Sequence, residues 1–390
     1  FASQGWSVHA VDNLSKRHIE NIEEVSPLIK LVPFRDRFAV WNNNFAKDDL
    51  QKIKSYIIDI ATNNRQLYKL FEDVKPDAII HFAEQPSAPY SMKGRSEAVS
   101  TQINNITGTL NLIFAIKKFN PSCHLVKLGT MGEYGTPNID IEEGWLNINH
   151  KERRDRVLFP KKPGSFYHLS KVHDSNNLEY ACRTWGLKIT DLNQGIVYGS
   201  HTELTKNSNL HTSFHYDSIF GTAINRFISQ ALSNNPITIY GGGNQTRAYL
   251  HIDDVIKCIE IALNNPAEQG EFKVRNQFTE FKSINELAAI VKDAMSYIGF
   301  STELKRIVHP LLQYTSPEYR ENCLKGTPHH PDLDVNYIRK FTELGGEFVA
   351  QNELSVDKNG GRKGETPDGV YFSSNNASVY TAGNAIVAPA

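Results

Sequence analysis

Cysteine, long apolar runs and an excess of one charge are all scarce in this chain of 390 residues. Its four cysteines are far apart, with no C-x-x-C pair and no Cys/His cluster, which predicts no metal site and indicates a reducing, cytosol-like compartment. No apolar run approaches the ~18 residues that a membrane span needs, so we expect no membrane insertion. Lys and Arg (42) nearly balance Asp and Glu (43), so charge gives no indication of nucleic acid binding.

The composition is that of a globular protein with a sizeable core. Hydrophobic residues make up 40% and charged residues 22% of the chain, which fits two modest domains or one large domain with lobes. Strand and helix signals alternate along the first two thirds. This alternation predicts an α/β fold built on a doubly wound, Rossmann-like parallel sheet.

The stretch from Lys127 to Lys171 carries the chemistry. HLVKLG reads as a buried strand, so Thr130 would lie at its carboxyl end, where open α/β sheets bind their ligands. Tyr167 and Lys171 are four residues apart in a helical segment and share one face. An ammonium beside a phenol favours the phenolate, which can take a proton from a sugar hydroxyl. The same spacing also occurs by chance, as a solvated lysine beside a half-buried tyrosine.

The first strand, VHAVDN, ends in an acidic residue, Asp12. In dinucleotide-binding folds such an acid binds the adenosine ribose about 20 residues after a glycine-rich phosphate turn. Fewer than 20 residues precede Asp12 in the sequence. We therefore expect the strand that precedes VHAVDN in such folds, and the glycine-rich turn after it, to be missing by amino-terminal truncation. Asn13 and Arg17 would contact the adenosine end, although Arg17 also reads as an ordinary surface charge.

Four long strings make the prediction narrower. HFAEQPSAPYSM (81–92), KLGTMGEYGTPNIDIEEG (127–144), SFYHLSKVHDS (165–175) and TDLNQGIVYG (190–199) resemble the UDP-sulfoquinovose synthase branch of the extended short-chain dehydrogenase/reductase superfamily. The resemblance covers roughly residues 1–300. It implies NAD as cofactor, UDP-glucose and sulfite as substrates, and a homodimer paired through helices 96–119 and 166–183. It also implies a cytoplasmic enzyme, or a plastid stromal one in a photosynthetic eukaryote.

The same resemblance assigns roles to further residues. It implies that Asp59 and Ile60 contact the adenine, that Asn104 lies near the catalytic lysine, and that Val197 borders the nicotinamide. Asp59 reads equally well as a turn or helix-cap residue, and Arg247 alternatively as a surface ion pair. The implied substrate-binding residues are Gln85, Ser87, Tyr90, Thr130, Gln194, Asn225, Gln245 and Arg247.

One position departs from the dehydratases of the superfamily. Those enzymes place Asp-Glu directly after the threonine, whereas Met131 follows Thr130 here. The acid that assists elimination must therefore come from elsewhere, and the candidates are Glu133 and His168. The unperturbed pKa of histidine, ~6.5, suits proton transfer, but His168 is also open to a purely structural role.

The predicted organisation has three parts. Residues 1–200 form the NAD-binding core, which lacks its first strand and carries an insertion at 136–164 that we expect to cap the sugar. Residues 201–346 form a smaller α/β substrate lobe interleaved with the core. Residues 347–390, rich in Gly, Ser, Asn and Asp, are predicted to be an irregular, partly disordered tail without an assigned function.

Two other functions stay open. The chain fits, less well, a UDP-sugar 4-epimerase or 4,6-dehydratase, against which Met131 and the EQPSAPYSM string argue. The second alternative is a fragment that does not hold NAD and acts as a UDP-sugar binder or an oligomerising partner.

Overall fold

The computed structural model describes residues 1–29, 31–137, 139–206, 210–240 and 242–307, together with the backbone of 384–389. No helix of this part is long and apolar enough to cross a membrane. Its α-helices are α1 (Ser15–Ile22), α2 (Phe34–Asn44), α3 (Asn64–Val74), α4 (Ala88–Ser91), α5 (Arg95–Gln102), α6 (Gly108–Phe119), α7 (Phe166–Trp185), α8 (Ala223–Leu232), α9 (Ile252–Asn264) and α10 (Ile284–Tyr297). Its strands are β1 (Trp6–Asp12), β2 (Lys54–Ile57), β3 (Ala78–His81), β4 (His124–Thr130), β5 (Trp145–His150), β6 (Arg153–Leu158), β7 (Lys188–Gln194), β8 (Ile196–Tyr198), β9 (Ile237–Tyr240), β10 (Thr246–His251), β11 (Phe272–Gln277), β12 (Glu280–Ser283), β13 (Leu304–Ile307) and β14 (Asn384–Pro389).

The main sheet has seven strands in the order β11-β7-β4-β3-β14-β1-β2. The pairs β1/β2, β3/β4, β4/β7 and β7/β11 are parallel. Helices cover both faces, because neighbouring residues of a strand point to opposite sides. Leu125 packs in the core with Ile116 of α6 and Leu178 of α7, and Val126 packs in the opposite core with Ile259 of α9. The predicted doubly wound, Rossmann-like architecture is confirmed.

Strand β14 is the exception to the parallel arrangement. It lies between β1 and β3 and runs antiparallel to both, in the place where we expected a first parallel strand to be missing. Without it, β1 and β3 would each present a row of unpaired backbone N–H and C=O groups. The prediction of an irregular tail is therefore wrong for Asn384–Pro389, and the rest of that tail lies outside the described residues.

A smaller lobe is built from β8 and from later segments of the chain, which alternate with α9 and β11 of the core. It contains the three-stranded sheet β12-β10-β8 and the two-stranded sheet β13-β9. Helices α8 and α10 pack on these strands through Phe227, Ile239 and Leu287, all buried. The predicted small α/β lobe is thus confirmed in kind. Residues 308–346 of its predicted range lie outside the described part.

The insertion at 136–164 forms a hairpin of β5 and β6. Lys151 and Glu152 at its tip both have positive φ (46° and 64°), the backbone of a type I′ turn. Residues 147–156, which include the charge run HKERRDR (150–156), are exposed. At the base of the hairpin, the Glu143 carboxylate accepts a hydrogen bond from Arg275 of β11 at 3.0 Å. The hairpin is thus anchored at the sheet edge, and its role as a cap stays a prediction.

Candidate active site

The carboxyl ends of the parallel strands meet at one edge of the sheet. Thr130, the last residue of β4, is the ladder partner of Gln194, and Gln194 is the partner of Gln277. The Gln194 amide donates to the Gln277 side-chain oxygen at 2.9 Å. A hydroxyl and two amides therefore line the edge where ligands bind in open α/β sheets. Gln277 was missed in the sequence, because its partner is 83 residues away.

Helix α7 presents the predicted tyrosine and lysine beside this edge. The helix starts where the Ser165 hydroxyl accepts the His168 backbone N–H at 3.1 Å, a capping bond that fixes the first turn. Tyr167 and Lys171 are buried, and the Lys171 ammonium lies 5.8 Å from the centre of the Tyr167 ring. Lys171 donates to the Leu128 carbonyl at 2.8 Å, so it is anchored on β4 two residues before Thr130.

Lys171 has a second partner that the sequence reading did not identify. The Glu84 carboxylate, only 2% exposed, lies 2.7 Å from the Lys171 ammonium. Glu84 stands on the exit of β3, next to the predicted pocket residue Gln85. The available signal was a lone charge at the end of the apolar run AIIHFA, since a carboxylate buried there needs a cation close by.

The electrostatics of Tyr167 differ from the prediction. We expected the Lys171 ammonium to lower the phenol pKa. In the structure the pKa of Tyr167 is raised, first because the phenol is buried and then because the Glu84 charge opposes the phenolate. The negative charge of Glu84 offsets the positive charge of Lys171. The prediction that Lys171 favours the Tyr167 phenolate is therefore wrong for the protein without bound ligands. The proton-transfer role of Tyr167 itself stays a prediction.

A buried charge cluster lies beneath Thr130. The Lys127 ammonium donates to Glu133 at 3.1 Å and to Asp191 at 3.3 Å, and Lys161 pairs with the other Glu133 oxygen. Burial favours the neutral acid, but the two lysines outweigh it and lower the pKa of Glu133 to about 2. Because such an acid holds no proton near neutrality, the role of proton donor does not fit Glu133. The carboxylate instead fixes the turn after β4, by accepting the Thr130 N–H.

His168 is placed for a different role from the one expected. Its Nδ1 is 2.9 Å from the Ser165 hydroxyl, and its buried Nε2 has no hydrogen-bond partner among the described residues. A Cβ at Gly132 would come within 2.3 Å of Nε2, so glycine is needed for this approach. Burial lowers the pKa of His168 to about 4. The ring is therefore neutral at pH 7 and suits a proton acceptor better than an acid.

A second buried histidine, His124 at the start of β4, leads to a pH prediction. It bonds Thr190 at 2.9 Å, and burial lowers its pKa from 6.5 to about 4. A lowered folded pKa means that the unfolded chain binds more protons, so this stability is present above pH 6.5 and lost as pH falls towards 4. We expect His124→Asn to reduce the slope of unfolding free energy against pH, between about pH 4.5 and 6, by about 1.4 kcal/mol per pH unit. Urea unfolding at several pH values measures the slope, and an unchanged slope would contradict it.

The predicted adenosine-binding residues are partly gathered. Asp12 ends β1, and its carboxylate accepts the Leu14 N–H at 2.7 Å. The Asn13 amide donates to Asn104 at 3.4 Å. A cavity of about 210 Å³ opens beside Asp12 and Arg17. Its aromatic wall comes from the 18–55 region and consists of Phe34, Phe38 and Trp41.

Asp59 and Ile60, two residues predicted to contact the adenine, make hydrogen bonds within the protein. Asp59 accepts the backbone N–H groups of Ala61 and Thr62 at 2.8 and 3.1 Å, which is the turn role weighed as its alternative. The Ile60 carbonyl accepts the Asn111 amide at 2.7 Å. Their contacts with adenine stay predictions.

The predicted long helix 96–119 is interrupted by a π-helical turn, Ile103–Thr107. Such turns are common at functional sites. Asn105, rather than Asn104, points into the core: it accepts the Gln85 N–H at 2.7 Å and donates to the Ser170 hydroxyl at 2.8 Å. Asn105 thus links the loop after β3 to helix α7, one position away from the predicted residue.

The loop after β3 uses its polar side chains internally. The Gln85 amide donates to the Thr101 hydroxyl at 2.7 Å. The Ser87 hydroxyl donates to the Ile219 carbonyl at 2.5 Å and caps α4 by accepting the Tyr90 N–H. Gln85 and Ser87 are buried and hydrogen-bonded within the protein, and their contacts with the sugar stay predictions.

The remaining predicted residues lie in β8 and the small lobe. Val197 is fully buried in the core, and the Asn225 amide donates to the His215 carbonyl at 2.9 Å. Gln245 lines a small cavity with Arg226 and Tyr240. Arg247 is partly exposed and donates to the Thr246 carbonyl at 3.0 Å. No carboxylate pairs with it within the part of the chain that the structure describes.

These residues fit the two ends of a dinucleotide but not its middle. Asp12 offers a carboxylate to ribose hydroxyls, and Tyr167 with Lys171 offers polar groups at the opposite end. Between them, pyrophosphate binding needs a glycine-rich turn and a helix amino terminus. In the described part of the chain, β14 fills the slot beside β1 and runs antiparallel to it.

The comparisons with known proteins define the class. The model of the NAD dependent epimerase/dehydratase family matches residues 1–276, and the chain belongs to that family. That family is one of NAD-dependent enzymes.

Within this family two curated relatives are particularly similar. The chain is 47% identical over 325 residues to the chloroplastic UDP-sulfoquinovose synthase of Spinacia oleracea, a match covering 83% of this chain and 66% of that protein. It is 38% identical over 326 residues to the UDP-sulfoquinovose synthase of Sulfolobus acidocaldarius, covering 81% of each. The chain therefore spans less than two thirds of the spinach protein. The two matches confirm the resemblance that the four strings indicated.

Solved structures agree on the fold. A Bacillus cereus UDP-glucuronic acid 4-epimerase, in complex with UDP-glucuronic acid and NAD, aligns with a TM-score of 0.53 over 85% of this chain and 91% of that chain at 19% identity. A dTDP-glucose 4,6-dehydratase from Streptomyces venezuelae aligns with a TM-score of 0.51 over 80% of each chain at 19% identity.

Proposed function

We propose that this chain is a UDP-sulfoquinovose synthase that makes UDP-sulfoquinovose from UDP-glucose and sulfite. The observation that carries the proposal is the 47% identity to the spinach enzyme in a chain that sets Thr130, Tyr167 and Lys171 around one sheet edge. When bound, NAD supplies the chemistry of hydride acceptance from the sugar C4 and its later return.

The residues of the chain manage protons around that exchange. Tyr167 takes the proton of the C4 hydroxyl and gives it back at the end, with Thr130 as a second hydrogen-bonding group. Oxidation at C4 makes the neighbouring C5 proton acidic, water then leaves from C6, and sulfite adds to the resulting alkene. His168, neutral with an unpartnered Nε2 among the described residues, suits the removal of the C5 proton.

Substrate recognition falls to the small lobe and the sheet edge. Arg247, without a carboxylate partner among the described ion pairs, would bind the diphosphate, because a planar guanidinium matches phosphate oxygens. Gln194 and Gln277 would bind the hexose. The dinucleotide would be held by Asp12 at the ribose and by Lys171 at the nicotinamide end.

A product assay with and without sulfite tests the proposal. The full chain is incubated with NAD and UDP-glucose, and the products are identified by mass spectrometry. A sulfite-dependent sulfonated sugar nucleotide is the expected result. Formation of UDP-galactose or a 4-keto-6-deoxy sugar would instead favour an epimerase or dehydratase, which match this chain at 22–27% identity. Calorimetry with NAD separates failed chemistry from failed cofactor binding.

We also propose that the protein is a homodimer paired through α5, α6 and α7. Large apolar side chains are exposed along this face, and Gln102 donates to the Phe166 carbonyl across it. A solvent-exposed patch of this kind indicates a protein interface. Its members are Val99, Ile103, Phe114, Phe166 and Tyr180, each 40–51% exposed.

Ile103→Asp should weaken that dimer. A charge buried in an apolar interface without a partner is strongly unfavourable, so we expect the dimer dissociation constant to rise at least about tenfold, or ~1.4 kcal/mol. Sedimentation velocity over a concentration series measures it. Ile261→Asp, at a 61% exposed position on α9, is the control. Equal effects of the two substitutions would contradict the assigned face.

A further inference from the structure

Glu84 is a buried charge to which the proposed mechanism gives no role. It follows β3, and its carboxylate lies 2.7 Å from the Lys171 ammonium and 3.7 Å from the His81 ring. Neither carboxylate oxygen has a hydrogen bond within the described residues. Lys171 is therefore its main stabilising contact.

The charges around Lys171 do not balance. The buried cluster contains three ammonium groups, Lys127, Lys161 and Lys171, whereas its carboxylates are Glu84, Glu133, Asp174 and Asp191. Asp174 is the one carboxylate of the four without an ion pair in the described part of the chain. Burial, and then the Glu84 charge, raises the pKa of Asp174 well above its usual value. With Asp174 neutral, Glu84 is left as the counter-ion of Lys171.

The position of this charge matters for Tyr167. After burial, Glu84 is the strongest influence that raises the pKa of the phenol. Lys127 acts in the opposite direction, and Glu133 and Asp174 act in the same direction more weakly. Among the described residues, His168 is in ring contact with Tyr167 at 5.0 Å, and the Lys171 ammonium lies 5.8 Å from the ring centre.

We propose that Glu84 is a positioning residue of the active site, which holds the Lys171 ammonium against β4 and keeps the Tyr167 hydroxyl protonated in the resting chain. The inference rests on the proposed function, since it concerns the readiness of Tyr167 for proton transfer. Release of Lys171 from Glu84 then becomes a requirement for activating the phenol. Ribose hydroxyls at this end of the dinucleotide are groups to which the released ammonium can donate.

The test replaces Tyr167 by 3,5-difluorotyrosine and follows its titration by ¹⁹F NMR in the full chain without cofactor. The ring fluorines lower the phenol pKa into a range where the protein is folded, and they give a single assigned signal. Glu84→Gln keeps the size of the side chain and removes the charge. A nearby negative charge raises the pKa of an acid by about one unit or more. We therefore expect Glu84→Gln to give at least about ten times more phenolate than the parent chain at a given pH.

Controls separate this effect from general loss of structure. Glu23→Gln removes one charge of the part-buried ion pair with Lys93 and should leave the Tyr167 titration unchanged. Glu84→Asp keeps a carboxylate but withdraws it from Lys171 by one methylene, so we expect a shift towards phenolate that is smaller than that of Glu84→Gln, and this variant provides the test if Glu84→Gln does not fold. The inference is overturned if the folded Glu84 variants show the same Tyr167 titration as the parent chain. This readout needs no turnover, so absence of sulfonated product would count against the proposed function alone.

Discussion

Tyr167→Phe should reduce sulfite-dependent product formation by about 10³-fold, the range typical of a lost general base. The substitution removes one hydroxyl and leaves the ring buried. The backbone N–H of residue 167 keeps its bond to the Ser91 hydroxyl, 3.0 Å in the parent chain. Initial rates by mass spectrometry at saturating UDP-glucose give the ratio.

The fold provides the control for this result. Since the ring packs with Ala88 and the oxygen is not part of the hydrogen-bonded network described around β4, the variant should unfold within about 1 kcal/mol of the parent chain. Turnover equal to that of the parent would remove Tyr167 from the mechanism. If Tyr167→Phe lost much stability, its rate ratio would not report on proton transfer alone. Thr130→Val would then be measured in its place.

Lys127→Met is expected to be the most destabilising single change considered for this chain. It keeps an unbranched side chain, shorter by one atom, but leaves Glu133 and Asp191 buried with one cation fewer. Breaking a buried ion pair from one side costs about 3–5 kcal/mol, because the remaining charge is uncompensated. At roughly 2–4 °C per kcal/mol for a domain of this size, Tm should fall by about 10 °C. Scanning calorimetry and urea unfolding measure the change.

Lys69→Met is the matched control for that variant. Lys69 and Asp73 are 2.6 Å apart, closer than either pair of Lys127, but their side chains are 66% and 54% exposed. Exposed pairs contribute little, so the control should change stability by less than about 0.5 kcal/mol. If the two substitutions had similar effects, the cluster beneath Thr130 would not be the stabilising feature described above.

Local pattern was sufficient for the elements that carry the predicted chemistry. The strand to Thr130 and the helix with Tyr167 and Lys171 follow from a short apolar run and a four-residue spacing, all within one segment. Glu84 and Gln277 could not be found in this way, since each acts through a partner more than 80 residues away in sequence. How strongly Glu84 counteracts Lys171 depends on their distance and burial, which no local pattern contains.

Glu133 and β14 show two other limits of local reading. The acid role for Glu133 was reasonable for an isolated carboxylate, but the charges of Lys127 and Lys161 come from a strand and from the insertion. Asn384–Pro389 has a strand-like composition, yet its place between β1 and β3 depends on free strand edges elsewhere in the chain. Both outcomes are set by tertiary neighbours, which a single segment does not reveal.

The π-helical turn at Ile103–Thr107 has a consequence for comparing this protein with others. An added residue in a helix rotates everything beyond it by about 100°. Within the turn itself, Asn105 is buried and Ile103 is exposed. A relative whose helix is α-helical throughout would be out of phase with this chain by one position after Thr107. Residue-by-residue transfer of roles between them is therefore valid only on one side of the turn at a time.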